Sequence, residues 1–235
     1  MLELRDVSYS VADKEILKNI NLKIDDRFVA ITGPNGSGKS TVAKLIAGII
    51  TPTSGRIFFD GEDITDMSVT DRAKRGISYA FQQPVRFKGI TVRDLMSLAA
   101  GKNTSVSDAC AYLSEVGLCA KDYINREVNA SLSGGELKRI EIAMINARGT
   151  KLSVFDEPEA GIDLWSFQNL IKVFEQMYER TKGTILIISH QERILNIADK
   201  IIVIAGGEVA DYGDKDTIFS KLMDVRTGCR YAERT

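Results

Sequence analysis

The chain has 235 residues, with 31 Lys and Arg against 32 Asp and Glu, one histidine and a net charge of -1. This length predicts one domain with a sizeable core and room for an insertion. The balanced charge excludes the strong positive field typical of nucleic-acid-binding proteins. Cys110, Cys119 and Cys229 form no C-x-x-C pair, which disfavours a closed zinc site and favours reduced thiols in a cytosol.

Nothing in the sequence predicts insertion into a membrane. Residues 1–5 lack a signal-peptide pattern, and no apolar run approaches the roughly 18 residues of a spanning helix. We therefore expect a cytoplasmic protein, and any membrane-spanning segment would belong to another polypeptide.

The N-terminal part alternates apolar and polar side chains, which predicts short antiparallel strands over residues 1–32. The run 28–32 is continuously apolar or β-branched and predicts a buried strand. Residues 42–47, which come after the glycine-rich motif described next, have the pattern of a helix.

Between this strand and this helix lies a glycine-rich motif that fits G-x-x-x-x-G-K-S/T. Its residues are Gly33, Pro34, Asn35, Gly36, Ser37, Gly38, Lys39, Ser40 and Thr41. The glycines let backbone N–H groups turn toward phosphate oxygens, and the helix start adds a partial positive charge. Lys39 is expected to contact the β- and γ-phosphates of a nucleotide, and Ser40 to bind Mg²⁺. An incidental glycine turn would lack this strand–loop–helix context.

Residues 91–118 are mostly helical by apolar spacing, with a predicted break over residues 103–107. A second motif follows at residues 131–136. Ser133 and Glu136 form a capping-box pattern at the start of a helix. The adjacent Gly134 and Gly135 allow an anion to approach the backbone closely, although a capped helix alone would explain the pattern.

Polar residues follow two further buried-strand patterns. Asp156 and Glu157 end the run 151–157, and His190 comes after the run 183–189. Open α/β sheets bind ligands at the carboxyl ends of their strands. The alternation of strands and helices beyond residue 130 predicts an α/β fold with a largely parallel sheet. The tail from Asp214 predicts one helix and a polar end.

On these motifs the chain resembles the ABC-type ATPases, with residues 132–136 resembling the ABC signature. The resemblance covers nearly the whole chain. It implies a P-loop NTPase of ABC type over residues 1–235, with a parallel core, an N-terminal antiparallel β subdomain and an inserted helical subdomain at 84–130. It also implies ATP and Mg²⁺ as cofactors.

The resemblance implies roles for single residues. Asp156 corresponds to the aspartate that binds Mg²⁺ through water, and Glu157 to the general base. His190 corresponds to the switch histidine. Gln82 corresponds to the glutamine that senses Mg²⁺ and water, with Gln83 as the adjacent alternative.

Further roles concern the nucleotide and a second protomer. In the family the signature contacts the γ-phosphate of ATP on the opposite protomer, which assigns Ser133, Gly134, Gly135 and Glu136 to that contact and implies a nucleotide-dependent homodimer. Asp163 corresponds to the acid of a loop at the dimer interface. Tyr9 is a candidate for stacking on adenine, and a core position is its alternative.

Within the family, residues 80–85 and 134–142 resemble SufC, the ATPase of iron–sulfur cluster assembly, whose partner is a soluble SufB-like scaffold. Pro158 departs from that pattern, because SufC has a serine there and transporters have proline. The alternative is the ATPase subunit of an importer with separate membrane permease subunits. In either case the surface around residues 82–90 would receive the partner. A binding module without turnover is disfavoured, because Glu157 and His190 are both present.

Overall fold

The computed structural model describes residues 1–101, 105–129, 131–180 and 182–227, and for 164–166 and 223–227 it describes the backbone alone. The strands are β1 Leu2–Val11, β2 Lys14–Ile24, β3 Phe28–Thr32, β4 Ser54–Phe59, β5 Glu62–Asp63, β6 Ile77–Ala80, β7 Leu152–Asp156, β8 Thr184–Ile188, β9 Lys200–Ala205 and β10 Glu208–Asp214. The helices are α1 Lys39–Ala47, α2 Val69–Lys74, α3 Val92–Ala100, α4 Val106–Glu115, α5 Ala120–Tyr123, α6 Gly134–Arg148, α7 Leu164–Arg180, α8 Glu192–Ile197 and α9 Lys215–Thr227. Cys229, Asn103 and Ala130 lie outside the described residues.

The chain divides into two compact units: unit 1 is Met1–Met67 with Ser189–Thr235, and unit 2 is Ser68–Ile188. Unit 1 contains an antiparallel sheet in the order β2-β1-β4-β5. Alternate side chains of β1 and β2 are buried, as a strand with one face toward a core requires. This confirms the N-terminal antiparallel subdomain, although β1 and β2 span 10 and 11 residues and are not the short strands predicted.

Unit 1 also contains the strands β10, β9 and β3, paired in that order. β3 runs parallel to β9, whereas β10 runs antiparallel to β9. Every residue of β3 is buried, which explains its continuous apolar sequence, since strands of a parallel sheet are covered on both faces.

Unit 2 contains the parallel strands β8, β7 and β6, with β7 in the middle. Their register pairs Ala80 with Phe155 and Asp156 with Ile188, so the carboxyl ends of the three strands share one edge. This confirms the predicted parallel core and the predicted position of Asp156 at a strand end. Glu157 follows the end of β7 directly, and Gln82 lies two residues beyond the end of β6.

Three of the four described helices between β6 and β7, namely α3, α4 and α6, begin at a residue whose side chain caps the helix. Thr91 caps α3 in a capping box, and Ser105 caps α4 by accepting a hydrogen bond from the N–H of Asp108. Because Ser105 starts α4, the predicted helix break at 103–107 extends too far, and residues 106 and 107 are helical. The boundaries 84–130 of the inserted subdomain stay a prediction. In the described part of the chain, each helix is too short or too polar to cross a bilayer.

Candidate active site

The glycine-rich loop of unit 1 connects β3 to α1 through backbone that only glycine adopts easily. Gly33, Gly36 and Gly38 have φ values of +139°, +75° and +102°. A Cβ on Gly33 would lie 1.9 Å from the carbonyl oxygen of Ile204, and a Cβ on Gly38 would lie 2.4 Å from Leu17 Cδ2. The loop therefore keeps the curled form of a phosphate cradle because these positions lack side chains.

The polar groups of this loop fit an anion. Lys39 is 5% exposed, and its Nζ donates to the carbonyl oxygens of Gly33 at 2.9 Å and Pro34 at 2.8 Å. The buried Ser37 Oγ has no hydrogen-bond partner among the described residues. The N-cap of α1 is Gly38, which has no side chain to bond the first N–H groups of the helix. Donors at a helix start beside an ammonium group are the arrangement that binds phosphate.

His190 lies on the same cavity as the glycine-rich loop. The cavity has a volume of about 570 Å³, and its wall includes Gly33, Asn35, His190 and the apolar Phe219. Ser189, the residue before His190, is buried and donates its N–H to the carbonyl oxygen of Ile31. The structure thus brings the predicted histidine to the phosphate loop within unit 1.

Ser40 and Thr41 lie in the first turn of α1 and are half-buried.

Tyr9 lies on β1 and is half-buried. Its main chain is paired with Leu17, whose side chain occupies the space where a Cβ on Gly38 would lie. Tyr9 is therefore one strand away from the loop, and its stacking on adenine stays a prediction.

In unit 2, Asp156 is 2% exposed at the end of β7. Its Oδ2 accepts a hydrogen bond of 2.8 Å from the Tyr79 hydroxyl on β6. Burial, together with the charge of Asp156, raises the pKa of Tyr79 far above its usual range, so the phenol stays a donor. Tyr79 was not predicted as a site residue; its place near the end of a buried strand was the available signal.

The direction of the Glu157 side chain is determined by a backbone turn, because the strand ends one residue earlier at Asp156. Its φ is +46°, a left-handed conformation that is uncommon for residues other than glycine. Its N–H donates to the carbonyl oxygen of Ile188, and its Oε2 accepts a hydrogen bond of 2.6 Å from Gln82 Nε2. The structure therefore brings two of the predicted catalytic side chains together. The alternation of an extended strand does not account for the direction of Glu157, because β7 ends at Asp156.

The signature turn forms the predicted capping box at the start of α6. Ser133 Oγ accepts from the N–H of Glu136, and Glu136 Oε2 accepts from the N–H of Ser133. The Tyr123 hydroxyl donates to Glu136 Oε1, which lowers the pKa of Glu136. Ser133 and Gly134 are exposed. A Cβ on Gly134 or Gly135 would meet no atom of the described residues within 4 Å, so packing within the described part of the chain does not require glycine at either position.

Asp163 is exposed at the start of α7, and its carbonyl oxygen accepts from the N–H of Phe167. Gly161 before it has a φ of +75°. The role of Asp163 at a dimer interface stays a prediction.

Sequence analysis does not assign two charged side chains of α6 to the site, the buried Lys138 and the half-buried Glu141, although both lie in the SufC-like segment. Lys138 is 2% exposed and donates to the carbonyl oxygens of Phe81 and Glu157. Glu141 accepts a hydrogen bond from the N–H of Phe81. Burial lowers the pKa of Lys138 and raises the pKa of Glu141 to about 7. Their contacts are with residues far away in sequence, so no local pattern predicts them.

The raised pKa of Glu141 predicts a pH-dependent stability. Because the folded protein holds this proton more tightly than the unfolded chain, the stabilisation is complete below about pH 4.5 and is lost as pH rises through about 7. We expect the free energy of unfolding of the wild type to fall by about 2 kcal/mol relative to Glu141→Gln between pH 5 and 7. Urea unfolding of both proteins at pH 5, 6 and 7 measures this. A constant difference between them across that range would contradict the prediction.

The family profile described as ABC transporter matches residues 17–160. An ABC transporter ATP-binding protein of Methanocaldococcus jannaschii is 40% identical over 224 residues, which is 91% of this chain and 89% of the relative. The chain belongs to the ABC transporter family. As an ABC ATPase it is an ATP-hydrolysing P-loop enzyme.

Two solved structures show the same ABC ATPase fold. One is the dimeric structure of a post-hydrolysis state of an ATP-binding cassette bound to ADP and Pi, with a TM-score of 0.80 at 26% identity, covering 92% of this chain and 99% of that chain. The other is cbiO1 from Clostridium perfringens, part of the ABC transporter complex cbiONQ, with a TM-score of 0.77 at 26% identity, covering 96% and 93%.

Proposed function

We propose that this ABC ATPase hydrolyses ATP with Mg²⁺ and that two copies close around the nucleotide. The observation that carries the second part is the exposed signature turn. Gly134 and Gly135 have open space where a side chain would stand, and the Ser133 capping box fixes the turn. Because packing within the described residues does not require these glycines, they fit another purpose: their bare backbone lets an anion from another molecule approach closely.

The nucleotide would be held first by unit 1. Lys39 supplies the positive charge for the β- and γ-phosphates, and the helix start at Ser40 supplies backbone donors. Family membership implies ATP binding. The buried Ser37 Oγ, which has no hydrogen-bond partner within the part of the chain that the structure describes, fits a phosphate oxygen. The residues assigned to Mg²⁺ are Ser40, Gln82 and Asp156, and the ion supplies charge neutralisation on the phosphates.

In the hydrolytic step Glu157 accepts a proton from the attacking water, and the Gln82 amide orients Glu157 through their 2.6 Å hydrogen bond. The water oxygen bonds to the γ-phosphorus, the bond to the bridging oxygen breaks, and ADP and phosphate leave. His190 contacts the γ-phosphoryl group. Catalysis of this type consists of positioning and electrostatic stabilisation.

We propose that the partner is a soluble SufB-like scaffold of iron–sulfur cluster assembly, and that the isolated ATPase is weakly active. The signature helix supports this choice, because the SufC-like residues Lys138 and Glu141 form hydrogen bonds with main-chain atoms near the catalytic residues. A cytoplasmic location, expected from the cysteine pattern, and the absence of a nucleic-acid partner are part of the same proposal.

The second candidate is the ATPase subunit of an importer with separate permease subunits. The comparisons favour it specifically, because cbiO1 is part of a transporter complex and the Methanocaldococcus relative carries the name of a transporter protein. Pro158, shared with transporters, points the same way.

Both candidates use the segment around residues 82–90. Val85 and Phe87 are exposed hydrophobic side chains, 46% and 38% accessible, beside the exposed Arg86 and Lys88. Exposed apolar groups of this size within one segment are typical of an interaction surface.

We expect the double substitution Val85→Glu and Phe87→Glu to reduce co-purification of the native partner at least about tenfold, because two buried interface contacts become charged. The tagged chain is expressed in its own host, and captured proteins are identified by mass spectrometry with and without detergent. Val106→Glu is the matched control, since Val106 is 51% exposed on α4. Capture of a soluble scaffold supports the first candidate, and capture of a membrane protein that requires detergent supports the second. Unchanged capture by the double variant would contradict the assigned surface.

A further inference from the structure

Two side chains of α6 hold both polar main-chain atoms of Phe81. Glu141 Oε1 accepts a hydrogen bond of 3.0 Å from the Phe81 N–H, and Lys138 Nζ donates to the Phe81 carbonyl oxygen at 3.3 Å. Lys138 and Glu141 are three residues apart, so they lie on one face of the helix. We call this pair of side chains the Phe81 clamp.

The clamp also reaches the residues assigned to catalysis. Lys138 Nζ donates to the carbonyl oxygen of Glu157 at 3.0 Å. Gln82, which follows Phe81 directly, donates from its Nε2 to Glu157 Oε2 at 2.6 Å. The clamp therefore holds the backbone at both ends of the Gln82–Glu157 hydrogen bond.

The rest of the local structure holds Phe81 weakly. Its side chain is 40% exposed and stacks edge-on against Tyr79 at a centroid distance of 4.9 Å. Burying charged groups such as Lys138 and Glu141 is costly unless they are bonded, and Lys138 meets that requirement through two main-chain carbonyl oxygens. The hydrogen bonds from Lys138 and Glu141 therefore anchor the segment before Gln82, where the side chain of Phe81 is itself exposed.

Glu157 needs such an anchor because of its backbone. A glutamate at a φ of +46° is strained, and strained residues persist when their surroundings hold them in place. The hydrogen bond of Lys138 to the Glu157 carbonyl oxygen supplies one such restraint, and the bond from its N–H to Ile188 supplies another.

We propose that Lys138 and Glu141 are positioning residues for hydrolysis, which keep Gln82 and Glu157 aligned through the main chain of Phe81. The inference rests on the catalytic roles proposed above for Gln82 and Glu157. Because α6 begins at the signature turn and carries the clamp within its first eight residues, the clamp also connects that turn to the catalytic pair.

The first test measures the contact without nucleotide. Hydrogen exchange of the Phe81 amide is followed by NMR in the wild type, Glu141→Gln and Glu141→Leu. Gln keeps an acceptor oxygen, whereas Leu fills similar volume without one. We expect the amide to exchange at least about tenfold faster in Glu141→Leu and at nearly the wild-type rate in Glu141→Gln. Equal exchange in all three proteins would overturn the clamp.

The second test measures kinetics at saturating Mg²⁺. Glu141→Leu is expected to lower kcat by about 10- to 100-fold, as misplacement of catalytic groups does, with ATP affinity within about twofold of the wild type. Glu141→Gln is expected to recover most of kcat. The control Ile145→Ala removes a 7% exposed side chain of the same helix and is expected to lower stability without this loss of kcat.

Gln82→Ala separates the clamp from the function on which it rests. If Gln82→Ala is slow and Glu141→Leu is as fast as the wild type, the clamp is overturned and the role of Gln82 stands. If Gln82→Ala itself turns over at the wild-type rate, the proposed role of Gln82 fails and the clamp loses its catalytic purpose. A loss of kcat in Ile145→Ala equal to that in Glu141→Leu would also overturn the clamp.

Discussion

Glu157→Gln is expected to lower kcat at least about 100-fold and to accumulate an ATP-bound dimer. The substitution removes the carboxylate that accepts a proton from water, a contribution of roughly 10²–10⁴ in rate. In the wild type, Gln82 Nε2 donates a hydrogen bond to Glu157 Oε2. The amide of the variant still offers an oxygen for this bond, so the local geometry is retained. With hydrolysis stopped, two copies stay closed around ATP.

Size-exclusion chromatography with light scattering, run with ATP and Mg²⁺, measures this dimer, and phosphate release measures kcat. Glu179→Gln, an exposed position on α7, is the control and should behave as the wild type. A Glu157→Gln protein that stays monomeric at saturating ATP would count against closure of two copies. A protein that keeps the wild-type kcat would remove Glu157 from the role of base.

Lys39→Ala is expected to weaken ATP binding at least about 100-fold. Charge-assisted hydrogen bonds contribute about 1.5–3 kcal/mol each, and Lys39 is expected to contact two phosphates. The wild-type ammonium is nearly buried against the carbonyl oxygens of Gly33 and Pro34, so it is already placed at the loop.

Calorimetric titration with ATP measures the affinity. Lys44→Ala, on the same helix and half-buried, is the control for the loss of a lysine from α1 and should bind ATP as the wild type does. Circular dichroism confirms that the Lys39 variant is folded. Unchanged ATP affinity in a folded Lys39→Ala protein would refute the cradle.

The sequence predicts those parts of the protein that depend on neighbouring residues. The Ser133–Glu136 capping box is a local hydrogen-bond pattern, and the structure contains both of its bonds. The buried strands β3 and β7 follow from short apolar runs that end at polar residues. The apolar spacing predicts a break through residue 107, whereas Ser105 caps α4 and the helix begins at Val106.

Other parts depend on contacts between distant residues, which a local sequence pattern does not specify. Tyr79 belongs to the site because its hydroxyl donates a hydrogen bond to Asp156, which is 77 positions away in sequence. Glu141 is defined by the main chain of Phe81, 60 positions away. The direction of Glu157 follows from a positive φ that no rule of strand alternation predicts. The sequence therefore names the residue types of the site, and the tertiary contacts decide how they are held.

The central claim is that the signature turn of one copy meets the phosphate loop of another when ATP is bound. It is tested by mixing two single-cysteine variants, Ser133→Cys and Asn35→Cys, after replacing Cys110, Cys119 and Cys229 with serine. Both Ser133 and Asn35 are exposed, so a short bifunctional maleimide reaches each of them. Because each variant carries one cysteine, a Ser133–Asn35 cross-link in the mixture joins two copies.

We expect this cross-link to form in the Glu157→Gln background with ATP and to be at least about tenfold weaker without nucleotide. The linked peptides are identified by mass spectrometry. If ATP is bound, as calorimetry reports, and no cross-link joins the two variants, the claim that two copies close around the nucleotide is contradicted.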